Sequence, residues 1–138
     1  MNTADVILAA LRSALPTDVA VYDAMVPGSP PARYVILFCG NGLRESSSVL
    51  GTSTDVTQTF QVTSVTSRPD TASTPAPLTR WLQAKVRESL TDQRLTVDGL
   101  VCGPIRHVQS LPPVVDEDVK DRPTVYAVDQ FEFQAGWL

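Results

Sequence analysis

The residue that could most readily do chemistry is His107, the single histidine of the sequence. Imidazole changes its charge near neutral pH, so an acid–base or nucleophilic mechanism would have to use His107 or carboxylates alone. His107 lies in a strand-like run beside Arg106, and no serine stands in a nucleophile-elbow motif. The sequence therefore favours a structural or surface histidine over a catalytic one.

A second candidate is the group of carboxylates within residues 111–123, an acidic connection flanked by prolines. Asp116, Glu117, Asp118 and Asp121 could offer oxygen ligands to a hard divalent cation. Asp121, however, replaces the glycine that a calcium-binding loop needs at its sixth position, and no glutamate follows at the twelfth. We therefore expect a solvated acidic turn and no metal site.

A phosphate or dinucleotide site is suggested by Gly40 and Gly42, which directly follow a strand-like run. Glu45 stands where the third glycine of the dinucleotide fingerprint belongs. No helical pattern follows whose N-terminus could hold a pyrophosphate group. The glycines therefore predict a turn, and no cofactor is expected.

The two cysteines, Cys39 and Cys102, lie far apart in the sequence, each inside an apolar strand-like run. Together with one histidine they do not give the paired spacing of a zinc site. Buried free thiols are the default expectation, although the sequence leaves their pairing open.

Length and composition predict one folded domain over residues 1–138. Leu, Ile, Val and Phe are frequent enough for a hydrophobic core, and the abundance of Val and Thr favours strands. The 11 basic residues are scattered and the net charge is −4, which argues against nucleic-acid binding. No apolar run approaches the ~20 residues of a membrane span, and no signal sequence is visible.

The hydrophobic periodicity predicts an α+β fold with a mixed, mainly antiparallel sheet and two helices packed on one face. The first helix is expected to be capped by Thr3 and to end at Pro16; the second is expected to begin around Thr74 and Pro75 and to bury a stripe that includes Trp81. Strands are expected at 19–25, 33–40, 56–67, 105–110 and 124–135, with a tight hairpin joining 94–97 to 100–103.

A Ser/Thr-rich stretch, residues 45–67, divides into two parts. From Val56 onward, apolar and polar residues alternate as in a half-buried strand. The preceding part lacks this alternation, and residues 41–55 are predicted to form a mobile, extended loop or hairpin tip. Val49 and Leu50 would be exposed there unless something covers them. Trp137 has no obvious place in the core, which suggests that it packs on a partner.

The order of these elements resembles the tail terminator (tail completion) proteins of long-tailed bacteriophages. The resemblance covers nearly the whole length and is carried by loose patterns in four stretches: "VAVYDAMVPGSPPARYVIL", "LTRWLQAKVRESL", "RLTVDGLVCGPIRHVQS" and "DEDVKDRPTVYAVDQFEFQA". It implies a small α+β subunit without catalytic residues or cofactor. Such subunits assemble as a homo-oligomeric ring, which is a hexamer in the family's pattern. Such a ring caps the tail tube, ends its polymerisation and joins the tail to the head connector.

The resemblance also implies partners and places. The partners are the tail tube protein and a head connector or neck protein. The location is the tail–neck junction of the virion and, during assembly, the host cytoplasm. DNA would pass through the ring without specific binding, and no membrane is involved. Under this hypothesis, subunit-interface residues are Val49, Leu50, Val56 and Trp137, and the residues facing the channel or the neighbouring ring are Asp116, Glu117 and Asp118.

Three alternatives remain open at this point. Another neck component, such as a head-closure protein, would differ mainly in the ring that it binds. A small-molecule-binding or enzymatic α+β domain would use His107 with the acidic connection. A monomeric host adaptor would bind a peptide by adding a strand to its sheet.

Overall fold

Two long antiparallel strands form the centre of the sheet. The computed structural model describes residues 2–40, 43–45, 55–68, 74–119 and 122–137, with the backbone alone at 43–45, 55 and 137. Strand β4 (Asp55–Ser67) pairs with β8 (Thr124–Trp137) along its whole length. Their β-branched and aromatic residues suit a pleated surface, which favours strands of 13 and 14 residues.

The remaining strands extend the sheet on both sides of this central pair. β2 (Arg33–Cys39) lies antiparallel to β4, and β1 (Ala20–Asp23) lies parallel to β2 at the outer edge. On the far side of β8 come three short strands that succeed one another along it: β5 (Leu100–Cys102), β6 (Arg106–Ser110) and β7 (Val114–Val115). β3 (Leu43–Glu45) pairs with the start of β4. The described residues thus form one eight-stranded mixed sheet.

Helix α1 (Thr3–Ala14) and helix α2 (Ala76–Leu90) cover one face of this sheet, as the sequence predicts. The residue that caps α1 is Asn2 and not Thr3, because the Asn2 side-chain oxygen accepts from the backbone N–H of Asp5 at 2.8 Å. At the start of α2, Pro75 has no side-chain acceptor, but the Thr74 hydroxyl accepts from the backbone N–H of Ala76 at 3.2 Å. Thr79 in the first turn bonds the Thr66 hydroxyl of β4 at 2.6 Å, which fixes the helix to the sheet.

The core lies between the helices and the sheet. Apolar side chains at i, i+3 and i+4 positions of each helix meet the residues of one parity on β2, β4 and β8. Phe60 of β4 stacks on Phe131 of β8 with ring centroids 5.3 Å apart, and Phe133 meets Phe60 edge-on. The fully buried members include Ile7, Leu11, Val35, Leu37, Val62, Leu82, Val86 and Leu90.

One predicted element is wrong. Residues 94–97 do not form a hairpin with 100–103: Arg94 makes only an isolated bridge to Pro104, and β5 pairs with β8. The predicted turn at Gly99 (φ +80°) is present. The strand that follows it, β5, forms its backbone hydrogen bonds with the long β8 and not with residues 94–97, because a short isolated hairpin is only marginally stable. The first-strand prediction was too long, since β1 ends at Asp23 and Ala24 turns the chain with φ +61°.

Candidate functional site

The face of the sheet opposite the helices, here called the open face, carries a depression of about 610 Å³. Alternation along β4 and β8 directs the polar parity of both strands to this face. Phe38 stands at one side of the depression and Val108 at the other. The polar side chains of β4 and β8 that line it are Thr59, Gln61, Gln130 and Glu132.

The depression has a mixed polar and apolar lining and carries little charge. The described residues that line it include two carboxylates, Asp23 and Glu132, and no lysine or arginine. Cys39 lies at its edge, and burial, reinforced by the charge of Asp23, raises the pKa of this thiol to about 11. A thiol is a nucleophile only as its thiolate, so Cys39 is a poor nucleophile at neutral pH.

His107, the residue with the most obvious chemical potential, faces the helices and is bonded to a buried carboxyl group. Its Nε2 lies 2.9 Å from Oδ1 of Asp129, whose side chain is 0% exposed. The other carboxyl oxygen, Oδ2, accepts from Nε2 of Gln83 on α2 at 3.1 Å. Gln83 also donates to Ser110 Oγ and to the backbone oxygen of Leu111. One polar network therefore joins α2, β6 and β8.

This network has the features of a structural connection. A buried carboxyl group needs hydrogen-bond partners, and Asp129 has one on each oxygen. The His107 ring packs on Phe131 at 5.2 Å between centroids. Neither His107 nor Asp129 is among the described residues that line the depression. The geometry supports the expectation of a structural histidine.

Asp129 was not singled out by the sequence analysis, although a signal was present. It shares the parity of Phe131 and Phe133, which the alternation already assigns to the core face. A carboxyl group at an inward position of a strand requires a buried partner. The sole histidine, in a neighbouring strand-like run, was the natural candidate.

The acidic connection folds as a short strand followed by a turn. β7 occupies its middle, and the backbone N–H of Asp118 donates to the carboxyl group of Asp116 at 3.1 Å. Asp116 is half-buried and lies near Tyr34, whose pKa is raised by burial and secondarily by the Asp116 charge. Glu117 and Asp118 are exposed. No group of three or more His, Cys, Asp or Glu side chains in the described part of the chain could hold a metal ion.

Large exposed apolar side chains, within the described ranges, lie at two opposite sides of the sheet. The first group, here called the Met25 edge, consists of Met25 and Phe38 beside β1 and β2. The second, here called the valine edge, follows β5 to β7 and consists of Val101, Val108, Leu111, Val114 and Val115. Exposed apolar side chains are candidates for contact with other molecules where they adjoin one another.

The structure describes only part of the predicted subunit interface. Val49 and Leu50 lie outside the described residues, as does most of the predicted loop 41–55, apart from β3 and the start of β4. Val56 is buried within the chain. Trp137 ends β8 opposite Leu100, and its side chain is not described. A role for these four residues between subunits stays a prediction.

Both cysteines are free, in agreement with the expectation of unpaired thiols. Cys102 is buried and Cys39 is partly buried. Trp81, predicted to lie on the core stripe of α2, packs at the margin of the core beneath the guanidinium of Arg33 at 5.4 Å. In the parts of the chain that the structure describes, neither helix has the length and apolar character required to cross a membrane.

Comparison with known proteins finds similarity of fold. A chain in the structure of the virion of a native gene transfer agent (GTA) particle matches with a TM-score of 0.59 at 17% identity, covering 95% of this chain and 84% of that one. A second solved chain, whose name describes no activity, matches with a TM-score of 0.54 at 18% identity, covering 95% of each. No protein-family model and no curated protein sequence matches. At these identities the likeness shows a shared fold alone.

Proposed function

We propose that this chain is a structural protein of a phage-like particle that caps the tail tube as a ring, ends tube polymerisation and joins the tail to the head connector. The observation that carries the proposal is the match of almost the whole chain to a chain of a GTA virion. The sequence resemblance to tail terminators supports the same assignment independently of that match. The proposed subunit is not an enzyme.

The surface of the subunit supports a role in assembly. Among the described residues, the exposed apolar side chains lie toward the two sides of the sheet, and two of them, Phe38 and Val108, border the open depression. Ligand sites of enzymes are concave and enclose most of the ligand surface, whereas the depression here is open and its lining mixes apolar side chains with Thr59, Gln61 and Gln130. An open surface of this kind suits contact with water or with a passing polymer.

The charge of the depression suits a channel through which DNA slides. Its described lining has no basic group, and the exposed Arg106 beside it stands opposite Glu132 on β8. Retention of phosphates requires clustered Lys or Arg, so such a wall would not hold DNA. Among the described residues lining the depression, Asp23 and Glu132 are the charged ones. We place Asp116, Glu117 and Asp118 toward the channel or the neighbouring ring. Reversing Asp116 and Asp118 to lysine is then expected to impair tail joining, and normal infectious particles from this variant would contradict that placement.

The proposal is tested by adding the purified protein to polymerising tail tubes. A terminator is expected to hold tube length constant after its addition and to be visible as a ring at the tube tip in electron micrographs. Tubes that grow equally long with and without the protein, and tips without extra density, would overturn it. A heat-denatured sample of the same chain serves as the control for non-specific inhibition.

The same assay separates the nearest alternative. A head-closure protein binds the head-side ring and is expected to leave tube growth unchanged while binding purified heads. A binding or enzymatic role through His107 finds no support in the geometry, because Nε2 of His107 is already bonded to Asp129 and the ring lies away from the depression.

A further inference from the structure

The short strands β5, β6 and β7 follow β8 with three extra residues. Leu100 lies opposite Trp137 and Val115 lies opposite Val125, so 15 steps along these strands correspond to 12 steps along β8. The extra residues enter at three places: within 103–105, at Val108 and within 112–113. Each of them shifts the register of the following residues by one.

These shifts leave only short regular stretches along this side of the sheet. Residues 100–116 are all described, and their pairing with β8 is regular over 100–103, 106–107, 109–111 and 114–116, so no stretch exceeds four residues. The first and third interruptions contain prolines, which have no backbone N–H to donate. An added strand is bound mainly through a continuous ladder of backbone hydrogen bonds, and this edge offers none of useful length.

Some backbone groups beside the first interruption are already bonded within the subunit. Ile105 donates its N–H to the carbonyl oxygen of Gln93 at 2.9 Å and accepts from the N–H of Asp92 at 2.8 Å. The guanidinium of Arg94 donates to the carbonyl oxygen of Cys102 at 3.4 Å. Residues 92–94 therefore occupy groups that an added strand would need.

The pairing of β6 with β8 does not require the extra residue Val108. Its neighbours His107 and Gln109 lie opposite Phe131 and Gln130, which are consecutive in β8. Without Val108, consecutive residues would face consecutive residues, and alternation would keep the inward side chains of β6 inward. Val108 is 53% exposed, so it adds little to the core. The bulge therefore affects the outer side of β6 more than its pairing with β8.

We propose that the three extra residues protect this edge of the sheet against added strands, so that neither another copy of this chain nor an extended peptide continues the sheet there. Bulges and prolines are among the usual means by which sheet edges avoid such pairing. The proposal does not depend on the proposed function. It implies that any partner at this edge is held through side chains, and that a peptide-binding adaptor would find no ladder on this side.

Removing the extra residues tests the proposal. A straightened chain lacks Val108 and Pro113 and carries Pro112→Thr, which makes one continuous run from Arg106 to Val115. The native and straightened chains are incubated at high concentration, and pairing between copies is measured by thioflavin T fluorescence and by the infrared band of intermolecular β-sheet. The straightened chain is expected to give about 10-fold or more fluorescence than the native chain, because a long regular edge is a template for pairing.

Two lysine variants of the straightened chain separate edge pairing from other association. Val114→Lys places a charge on the straightened edge and is expected to return the fluorescence to within about 3-fold of the native chain. Met25→Lys adds the same charge on the opposite side of the sheet and is expected to give no such relief.

Urea denaturation shows whether each variant is folded. A folded straightened chain that stays at the native fluorescence would overturn the proposal, as would equal relief by the two lysines. If the straightened chain does not fold, deletion of Val108 alone decides the question, because it preserves the pairing partners of β6. Its fluorescence is then expected to exceed that of the native chain by about 3-fold, and an unchanged value would overturn the proposal.

Discussion

Neighbouring residues of β8 lie in two different environments. Asp129 is buried beneath α2 with a partner on each carboxyl oxygen, whereas Gln130 and Glu132 line the depression on the open face. Opposite Asp129 on β4 lies the apolar Val62, and opposite Gln130 lies Gln61. The same two strands therefore separate a packed, satisfied interior from a polar surface without a closed pocket.

This difference assigns stability and function to opposite faces. On the helix-covered face, a substitution removes packing contacts or hydrogen bonds within the subunit, so it lowers the free energy of unfolding. Around the depression, side chains such as Thr59 are exposed, so substitutions there are expected to act on what the subunit binds; farther along β4, Val65 of the same face is buried and contributes to stability. The proposed assembly surfaces can be altered without unfolding the protein.

The largest effect on the folded subunit is expected from His107→Ala. It removes the partner of Asp129 Oδ1 and leaves a buried carboxyl group with Gln83 alone, which costs about 3 kcal/mol of stability. Urea denaturation measures this loss. His107→Gln keeps an N–H donor at similar reach and is expected to recover at least half of it. A loss below about 1 kcal/mol for His107→Ala would show that the network is not a structural connection.

A consequence concerns tests for catalysis. Loss of any activity on changing His107 to alanine would report unfolding as readily as chemistry. His107→Gln is the informative variant, because it preserves the hydrogen bond to Asp129 while removing the imidazole that proton transfer would need.

The sequence predicted the helix-covered face better than the margins of the sheet. Burial of one face requires alternating apolar residues in β4 and β8 and an apolar stripe on α2, and both patterns can be recognised in the sequence. The wrong hairpin at 94–103 shows what local sequence does not determine. Residues 100–102 are suited to pair with any neighbouring strand, and their pairing with β8 depends on residues that are distant in the sequence. The two apolar edges could not be predicted, because only the strand order places Met25 and Val108 on opposite sides.

A smaller effect is expected where α2 joins β4. Thr79→Val keeps the shape of the side chain but removes the hydroxyl that bonds Thr66 at 2.6 Å and the backbone oxygen of Pro75 at 3.2 Å. The expected loss is about 1–2 kcal/mol in urea denaturation, because a buried hydroxyl partner is left with fewer bonds. Thr59→Val, exposed on the open face, is the matched control. Equal effects at Thr79 and Thr59 would remove the distinction between the faces.

At the boundary between the two environments, Cys39 provides a test by pH. In the folded chain, burial and secondarily the charge of Asp23 raise the pKa of its thiol from an ordinary value of 9.0 to about 11. As the pH rises, the unfolded chain therefore loses this proton first, and stability falls between about 9 and 11. Cys39→Ser is expected to lack this part of the pH dependence of unfolding. Identical profiles for both chains would contradict the burial of the thiol.

The smallest effect on stability is expected on the floor of the depression. Gln61 and Gln130 face each other across β4 and β8, and neither contributes to the core. Changing both to serine is expected to alter the free energy of unfolding by no more than about 0.5 kcal/mol per site, as for other surface positions. Changing Gln130 alone to lysine avoids two like charges directly opposite each other and is expected to leave folding intact. In a ring it places one basic group per subunit in the wall, which is expected to slow DNA passage, measured as a loss of DNA delivery by assembled particles. Normal delivery with the lysine variant, given rings of normal appearance, would show that the open face does not line the channel.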